Sequence, residues 1–281
     1  MKLFSVKPAA TSYTVSMLPK NRKEVFWDVL RLHWGKFFWM GLLILFCSLP
    51  IHLCAILCDI YIANADPSQS PETIMQLQNL QALVSIPLTT ALAFPLAGLL
   101  RILRQYAWGE NVFFSFDFLK GLRQNWSQTV LTLLVGSSTF SMATISFRTT
   151  SGAETNAAFF ALIPLVMFLL LIFPLCALMV AAIPVYSNNW IGNLKVALTI
   201  YAKAPIKTLA VLLGTFLIFF LAFTPNFYFH IFGRITASLF LPVSLLGWIL
   251  FCHSRFDRYI NVNEHPELVN KGILGIQYGD R

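Results

Sequence analysis

Two pairs of side chains in the first apolar stretch are of types that do chemistry. His52 and Asp59 lie seven residues apart, two helical turns, which sets both on one face of a helix. Together they are the makings of a proton or cation site, and ionisable groups within a membrane helix are functional candidates by default. Asp59 falls near the end of the stretch, where a carboxylate reaches water, so the expectation is two ordinary residues. Cys54 and Cys58 are one turn apart beside His52, and such ligands suit Zn or Cu(I). A second ligand pair is missing, so no metal site is assigned and the thiols read as small apolar groups. In the tail, His265 stands beside Glu264 and Glu267, in a short polar stretch expected to be solvated.

Enzyme signatures are missing. There is no H-E-x-x-H, no phosphate loop, and Gly136-Ser137-Ser138 lacks the second glycine of a nucleophile elbow. No catalytic, cofactor-binding or metal-ligating residue is assigned, no cofactor is expected, and the chain is expected not to be an enzyme.

The elements that carry these residues are apolar helices. Of 281 residues, 57% are hydrophobic and 11% charged, against roughly 25% charged in a soluble domain; mean hydropathy is +0.69. A soluble fold of this length has too few polar residues to cover that much apolar surface. The five cysteines all lie in apolar runs, which excludes a secreted disulfide scaffold. The fold class expected is all-α, a polytopic transmembrane bundle. Six apolar runs mark the spans: Phe37–Ile62, Leu80–Leu100, Trp126–Phe147, Ala157–Tyr186, Thr208–His230 and Ile235–Cys252. The fourth would be about 45 Å long as a helix, against a hydrocarbon core of about 30 Å, so kinks at Pro164, Pro174 and Pro184 are expected to absorb the excess. A short turn containing Gly233 and Arg234 is expected between the last two spans. Residues 1–36 read as a cytoplasmic N-terminal segment with an interfacial helix, 37–253 as the membrane domain and 254–281 as a cytoplasmic tail.

Six spans put both termini, the second loop and the fourth loop on one side, with 18 of the 20 Lys and Arg. The other side keeps Arg148 and Arg234. Basic residues accumulate on the cytoplasmic side, so both termini are expected there. The formal charge of +8 thus reflects topology, with the lipid bilayer as partner and no nucleic acid. Trp27, Trp34, Trp39, Trp108, Trp126 and Trp190 fall near the same boundary, Tyr61 and Tyr228 near the other. Ala63-Asn64-Ala65 has the small residues of a signal cleavage site, but the 26-residue run before it exceeds a signal core of about 7–15 residues, and cleavage is not expected.

Basic, aromatic segments precede the odd-numbered spans: Arg22–Lys36, Glu110–Asn125 and Trp190–Pro205. In the first, Phe26, Val29, Leu30, His33, Trp34 and Phe37 share a face opposite Glu24, Asp28 and Arg31, as in a helix lying in the interface. Spans beginning near residues 37, 126 and 208 suggest a repeat of an interfacial helix and two spans; the alternative is ordinary loop spacing. In the third span, Thr129, Thr132, Gly136, Thr139, Ala143 and Ser146 form a stripe of small residues. Close helix packing there would make this the most enclosed helix, with Leu131 and Leu134 off the stripe; the alternative is that the hydroxyls bond carbonyls of their own helix.

Trp34-Gly-Lys-Phe-Phe-Trp-Met-Gly-Leu-Leu through Ser48-Leu49-Pro50 resembles the first-span signature of the YesL-like family of bacterial membrane proteins. Leu88-Thr89-Thr90-Ala91, Leu99-Leu100-Arg101 and Trp108-Gly109-Glu110 resemble it too, as does Phe116-Asp117-Phe118-Leu119-Lys120 to Gln124-Asn125-Trp126. The separation between the first proline and the Thr-Thr-Ala stretch departs from the pattern. The family is a domain of unknown function. The resemblance implies the plasma membrane of a bacterium and carbohydrate-transport components as partners, and carries no site residue over. The function expected is a non-enzymatic auxiliary to solute transport; the alternative is a transporter or permease in its own right. A Glu-Ala-Ala-x-x-x-Gly loop for contact with a transport ATPase is missing, which counts against the permease subunit itself.

Overall fold

A computed structural model describes residues 18–64, 70–150, 155–223 and 227–273. Among them every regular element is helical: α1 (Arg22–Ala63), α2 (Pro71–Ala91), α3 (Ala93–Ala107), α4 (Phe114–Thr150), α5 (Thr155–Met167), α6 (Phe173–Ala182), α7 (Trp190–Lys203), α8 (Pro205–Thr215), α9 (Phe227–Phe256) and the short α10 (Val262–Glu264), with π segments at Phe168–Ile172 and Asp257–Asn261 and 3-10 segments at Leu217–Phe223 and Pro266–Leu268. Four helical stretches are long and apolar enough to cross a membrane, and six if α2 with α3 and α7 with α8 each count as one. Lys2, Lys7, Ala65 and Arg281 lie outside the described residues.

Local chemistry starts and breaks these helices. Asn21 caps α1 by accepting from the Glu24 amide at 2.9 Å, while the Glu24 carboxylate accepts from the Lys20 amide at 2.7 Å, a capping-box arrangement. Ser70 caps α2, with Pro71 in its first turn. This start was legible as Ser-Pro-Glu, and α2 begins nine residues before the apolar run. The 43° bend between α2 and α3 follows from Pro95, which has no N–H for the Ala91 carbonyl and crowds it. The 104° bend between α7 and α8 sits at Ala204, with φ −152° and ψ 58°; a residue before proline is pushed out of the α region. Pro174 likewise leaves the Leu170 carbonyl without its helical donor, inside the π segment, and the Tyr201 hydroxyl donates to that oxygen instead.

Three sequence expectations are corrected. Gly233 and Arg234 are not in a turn but inside α9. A Cβ on Gly233 would lie 2.4 Å from the Leu221 backbone carbon, so this glycine serves close approach to the 3-10 segment. Arg101 and Arg104 belong to α3, not to a loop. The third span is not the most enclosed: 17% of the apolar window of α4 is buried, against 50% in the last helix. Its stripe faces inward only in part. Thr129 and Thr132 are fully buried while Leu131 and Leu134 are exposed, as expected. Yet Thr129, Thr132 and Thr139 donate to the carbonyls of Asn125, Gln128 and Val135 in their own helix, and Thr132 also accepts from the Trp190 indole of α7 at 3.1 Å. Of the three segments expected to lie in the interface, the first is set off by a non-helical His33 inside α1, the third by the bend at Ala204, and the second runs on within α4.

α1 packs along α9 and α3 along α4, and these are the most extensive helix pairs. Gly41 allows the first: a Cβ there would sit 2.3 Å from the Leu239 carbonyl oxygen. The core is an apolar mass of Phe37, Met40 and Ile44 from α1, Leu99, Leu100 and Leu103 from α3, Leu178 from α6, Ile200 from α7, and Leu246, Trp248 and Ile249 from α9. The Trp248 indole donates to the Ala177 carbonyl at 2.7 Å, so its one polar atom is satisfied in that core.

Polar groups gather beyond the core at two ends. The basic end carries both the start of α1 and the tail. There Arg22 bonds Asp257 at 2.8 Å and the Lys271 carbonyl at 2.7 Å. Asn261 donates to Asp257 at 2.8 Å and accepts from the Tyr186 hydroxyl at 2.7 Å. Burial, helped by the nearby Asp257 and Glu264 carboxylates, pushes the Tyr186 hydroxyl well above the usual tyrosine range, so it keeps its proton and remains the donor. Glu110 lies 3.4 Å from both Arg104 and Lys271, whose cations each cover the Trp108 ring.

Candidate functional site

At the opposite end, α1 and α9 enclose the polar groups that the sequence singled out. Ser48, His52 and Asp59 follow one another along one side of α1, and Ser238, Arg234 and His230 answer from α9. The group forms two clusters.

The first centres on His52. Its Nε2 lies 2.9 Å from Ser238 Oγ and 3.0 Å from Ser48 Oγ, and the two hydroxyls are 3.2 Å apart. The Ser48 hydroxyl also lies 3.0 Å from the Leu45 carbonyl. A carbonyl only accepts, so Ser48 donates its single proton there and must accept from its other neighbours. Protons in this cluster are therefore ordered toward Leu45. His52 Nδ1 is buried with no hydrogen-bond partner among the described residues. Both serines are buried. Pro242 adds to the polarity, because it supplies no N–H to the Ser238 carbonyl one turn earlier.

The second cluster holds Asp59. Arg234 Nε donates to His230 Nε2 at 2.6 Å, and an imidazole nitrogen that accepts is unprotonated. Asp59 Oδ2 stands 3.4 Å from that same nitrogen. The arginine is therefore the cation that offsets the Asp59 charge, and the neutral histidine sits between them. Asp59 is 38% exposed at its side chain.

His52 and Asp59 thus share a face, as their spacing predicts, but join different partners. Cys54 and Cys58 are free thiols, Cys58 buried and Cys54 partly so. Among the described residues no three His, Cys, Asp or Glu side chains converge on a metal-sized space. His265 is half-buried at the basic end, its ring 5.5 Å from that of Tyr186 and its Nδ1 3.5 Å from Glu267. Ser48, Ser238, His230 and Arg234 were not read as site residues in the sequence. Both Ser48/His52 and His230/Arg234 are polar pairs four residues apart in apolar surroundings, a spacing that puts two side chains side by side on a helix. That signal was available; the pairing of residues 48 and 238 was not.

The chain was compared with known protein families, curated proteins and solved structures, and none matches it.

Proposed function

We propose that this is a six-span protein of a bacterial plasma membrane, with both termini in the cytoplasm, that serves as a non-enzymatic auxiliary to solute transport. Its partners are the lipid bilayer and transport components, of the carbohydrate-uptake class that the YesL-like resemblance implies, and not nucleic acid. Counting α2 with α3 as one span and α7 with α8 as another gives the six; within the second pair the 104° bend at Ala204 lets α7 lie in the interface while α8 enters the bilayer. The concentration of Lys and Arg at the end that carries the termini supports the orientation.

One observation carries the auxiliary role: an apolar barrier. Phe37, Met40, Ile44, Leu99, Leu103, Leu246 and Ile249, each at most 1% exposed, separate the His52–Ser238 cluster from the basic end. A charged or hydroxylated solute crossing that layer would lose its hydration with nothing polar in exchange. The polar clusters then serve to hold α1 against α9, because small polar side chains between helices substitute for a hydrophobic drive that lipid does not provide.

A second reading, a transporter in its own right, draws on the proline-broken α2–α3 and on the π segment at Phe168–Ile172, since broken helices within a bilayer are where binding sites form. Affinity purification from the native membrane separates the two. The auxiliary reading expects permease or ATPase subunits to co-purify, and no solute uptake by vesicles holding this chain alone. Saturable uptake by such vesicles would establish the second reading instead.

A further inference from the structure

We propose that the cavity between α3, α4 and the 183–188 loop binds a phosphate group, held by Arg101 and Arg104. The cavity has a volume of about 390 Å³, within the range of sites that enclose small ligands, about 300–1,000 Å³. Its wall is polar: Arg101, Arg104, Gln124, Gln128, Tyr186 and Asn188 contribute. No carboxylate lines it among the described residues, although Asp117 and Glu110 stand behind the two arginines, 3.6 and 3.4 Å away. The two arginines are three residues apart on α3, which sets them side by side.

Both guanidinium groups are positioned without being saturated. Arg101 Nε is 3.6 Å from Asp117 Oδ1, too far for a hydrogen bond, while its Nη1 donates to Gln124 Oε1 at 2.7 Å. Arg104 Nη1 donates to the Pro184 carbonyl at 3.0 Å, and its Nη2 lies 3.4 Å from Glu110. The Nε atoms of both are buried without a hydrogen-bond acceptor among the described residues. The far wall is fixed as well: Gln128 donates to the Asn188 carbonyl at 2.8 Å and accepts from Asn193 at 2.7 Å. Phosphate is an anion that guanidinium groups match well through charge-assisted hydrogen bonds. The volume leaves room for a polar substituent on the phosphate, and the basic end is where anionic headgroups meet this protein. The phosphate therefore comes either from a lipid headgroup or from a soluble phosphate ester.

The test uses the full-length chain in neutral detergent, with thermal unfolding and native mass spectrometry. The probes are phosphatidylglycerol, phosphatidylcholine and glycerol 3-phosphate. Saturable binding and a raised melting temperature are expected with phosphatidylglycerol and not with phosphatidylcholine if the source is lipid, and with glycerol 3-phosphate as well if it is soluble. Gln124→Glu places a carboxylate at the mouth from an exposed position, so the unliganded melting temperature should hold. Binding should weaken by about tenfold or more, the scale of a hydrogen bond to a charged group. Arg101→Gln should weaken it further. Failure of all three probes to bind the wild type, or equal binding by wild type and Gln124→Glu, would overturn the proposal.

Discussion

The two ends of the bundle use polar residues in contrasting ways. At the basic end, several polar side chains are tied to partners far away in the chain. Arg22 meets Asp257 and the Lys271 carbonyl, Glu110 meets Lys271, and Tyr186 meets Asn261. These bonds tie the start of α1, the turn after α3, the 183–188 loop and the tail into one assembly. At the opposite end, α1 joins α9 through two clusters, and α4 joins α2 through Arg148 to the Gln78 carbonyl at 2.8 Å and Ser141 to the Ala82 carbonyl at 2.9 Å. α2 buries no residue fully, and many side chains of α5 are exposed. In a membrane those exposed Phe and Leu face lipid at no hydrophobic cost. The contrast teaches how each end is joined. The helices are tied together at the basic end by side chains from four separate segments, and at the other by contacts between neighbouring helices.

The largest expected effect comes from opening the clamp. Asp257→Ala leaves Asn261 Nδ2 without its acceptor and Arg22 with the Lys271 carbonyl but no counter-charge, at a site where both partners of the ion pair are nearly buried. Removing one partner of such a pair costs roughly 3–5 kcal/mol, read as a lowered melting temperature of the detergent-solubilised protein. An unchanged melting temperature would mean that the clamp does not hold the bundle.

Gly41→Val comes next. Its side chain would meet the Leu239 backbone, and overpacking of this kind costs about 1–3 kcal/mol. Because the same crossing places Ser48 beside Ser238, both clusters should be disturbed. Exchange of the Ser48 and His52 hydrogen-bonded protons, followed by NMR in micelles, should quicken along with the fall in stability.

Gly136→Leu is expected to cost less than about 1 kcal/mol, below what the small-residue stripe alone suggested. A Cβ there meets only Cys176 Sγ at 3.6 Å, an ordinary contact. An open crevice of about 470 Å³ lined by Thr139, Met142, Ala143 and Phe168 lies on the same face of α4 and can take larger groups. Melting close to that of Leu131→Phe is the expected outcome; a loss of several degrees against that control would restore the closely packed stripe.

Asp59→Asn should have the smallest effect, within about 1 kcal/mol, as for other part-exposed ion pairs. Membrane accumulation in the host should be unchanged. Loss of a host growth phenotype with normal accumulation would turn the second cluster from a helix contact into an ion path.

Composition and periodicity made the helical bundle legible, and the basic segments anticipated the starts of α1 and α7 to the residue. They could not anticipate bends. Leu80–Leu100 is one apolar run in sequence, yet Pro95 breaks it at Leu92. Gly233-Arg234 has the look of a turn, yet it is helical because its glycine meets the backbone of the 3-10 segment. The face shared by His52 and Asp59 was legible because it is local, set by 3.6 residues per turn. Their partners lie some 170 to 190 residues away, and no local pattern encodes that. The phosphate cavity was hidden for the same reason: Arg101 and Arg104 read as loop charges until α3 and the 183–188 loop placed them on one wall.

In the proposed orientation the two ends face opposite sides of a membrane, with the basic end inward. Single cysteines in a cysteine-free background test this most directly, at Ser70 for one end and at Ser115 and Asn263 for the other. A membrane-impermeant thiol reagent applied to intact cells should label position 70 and leave 115 and 263 unlabelled until the cells are opened. Labelling of 115 or 263 in intact cells, with 70 protected, would contradict the orientation; labelling of all three would contradict the division of the molecule into two opposed ends.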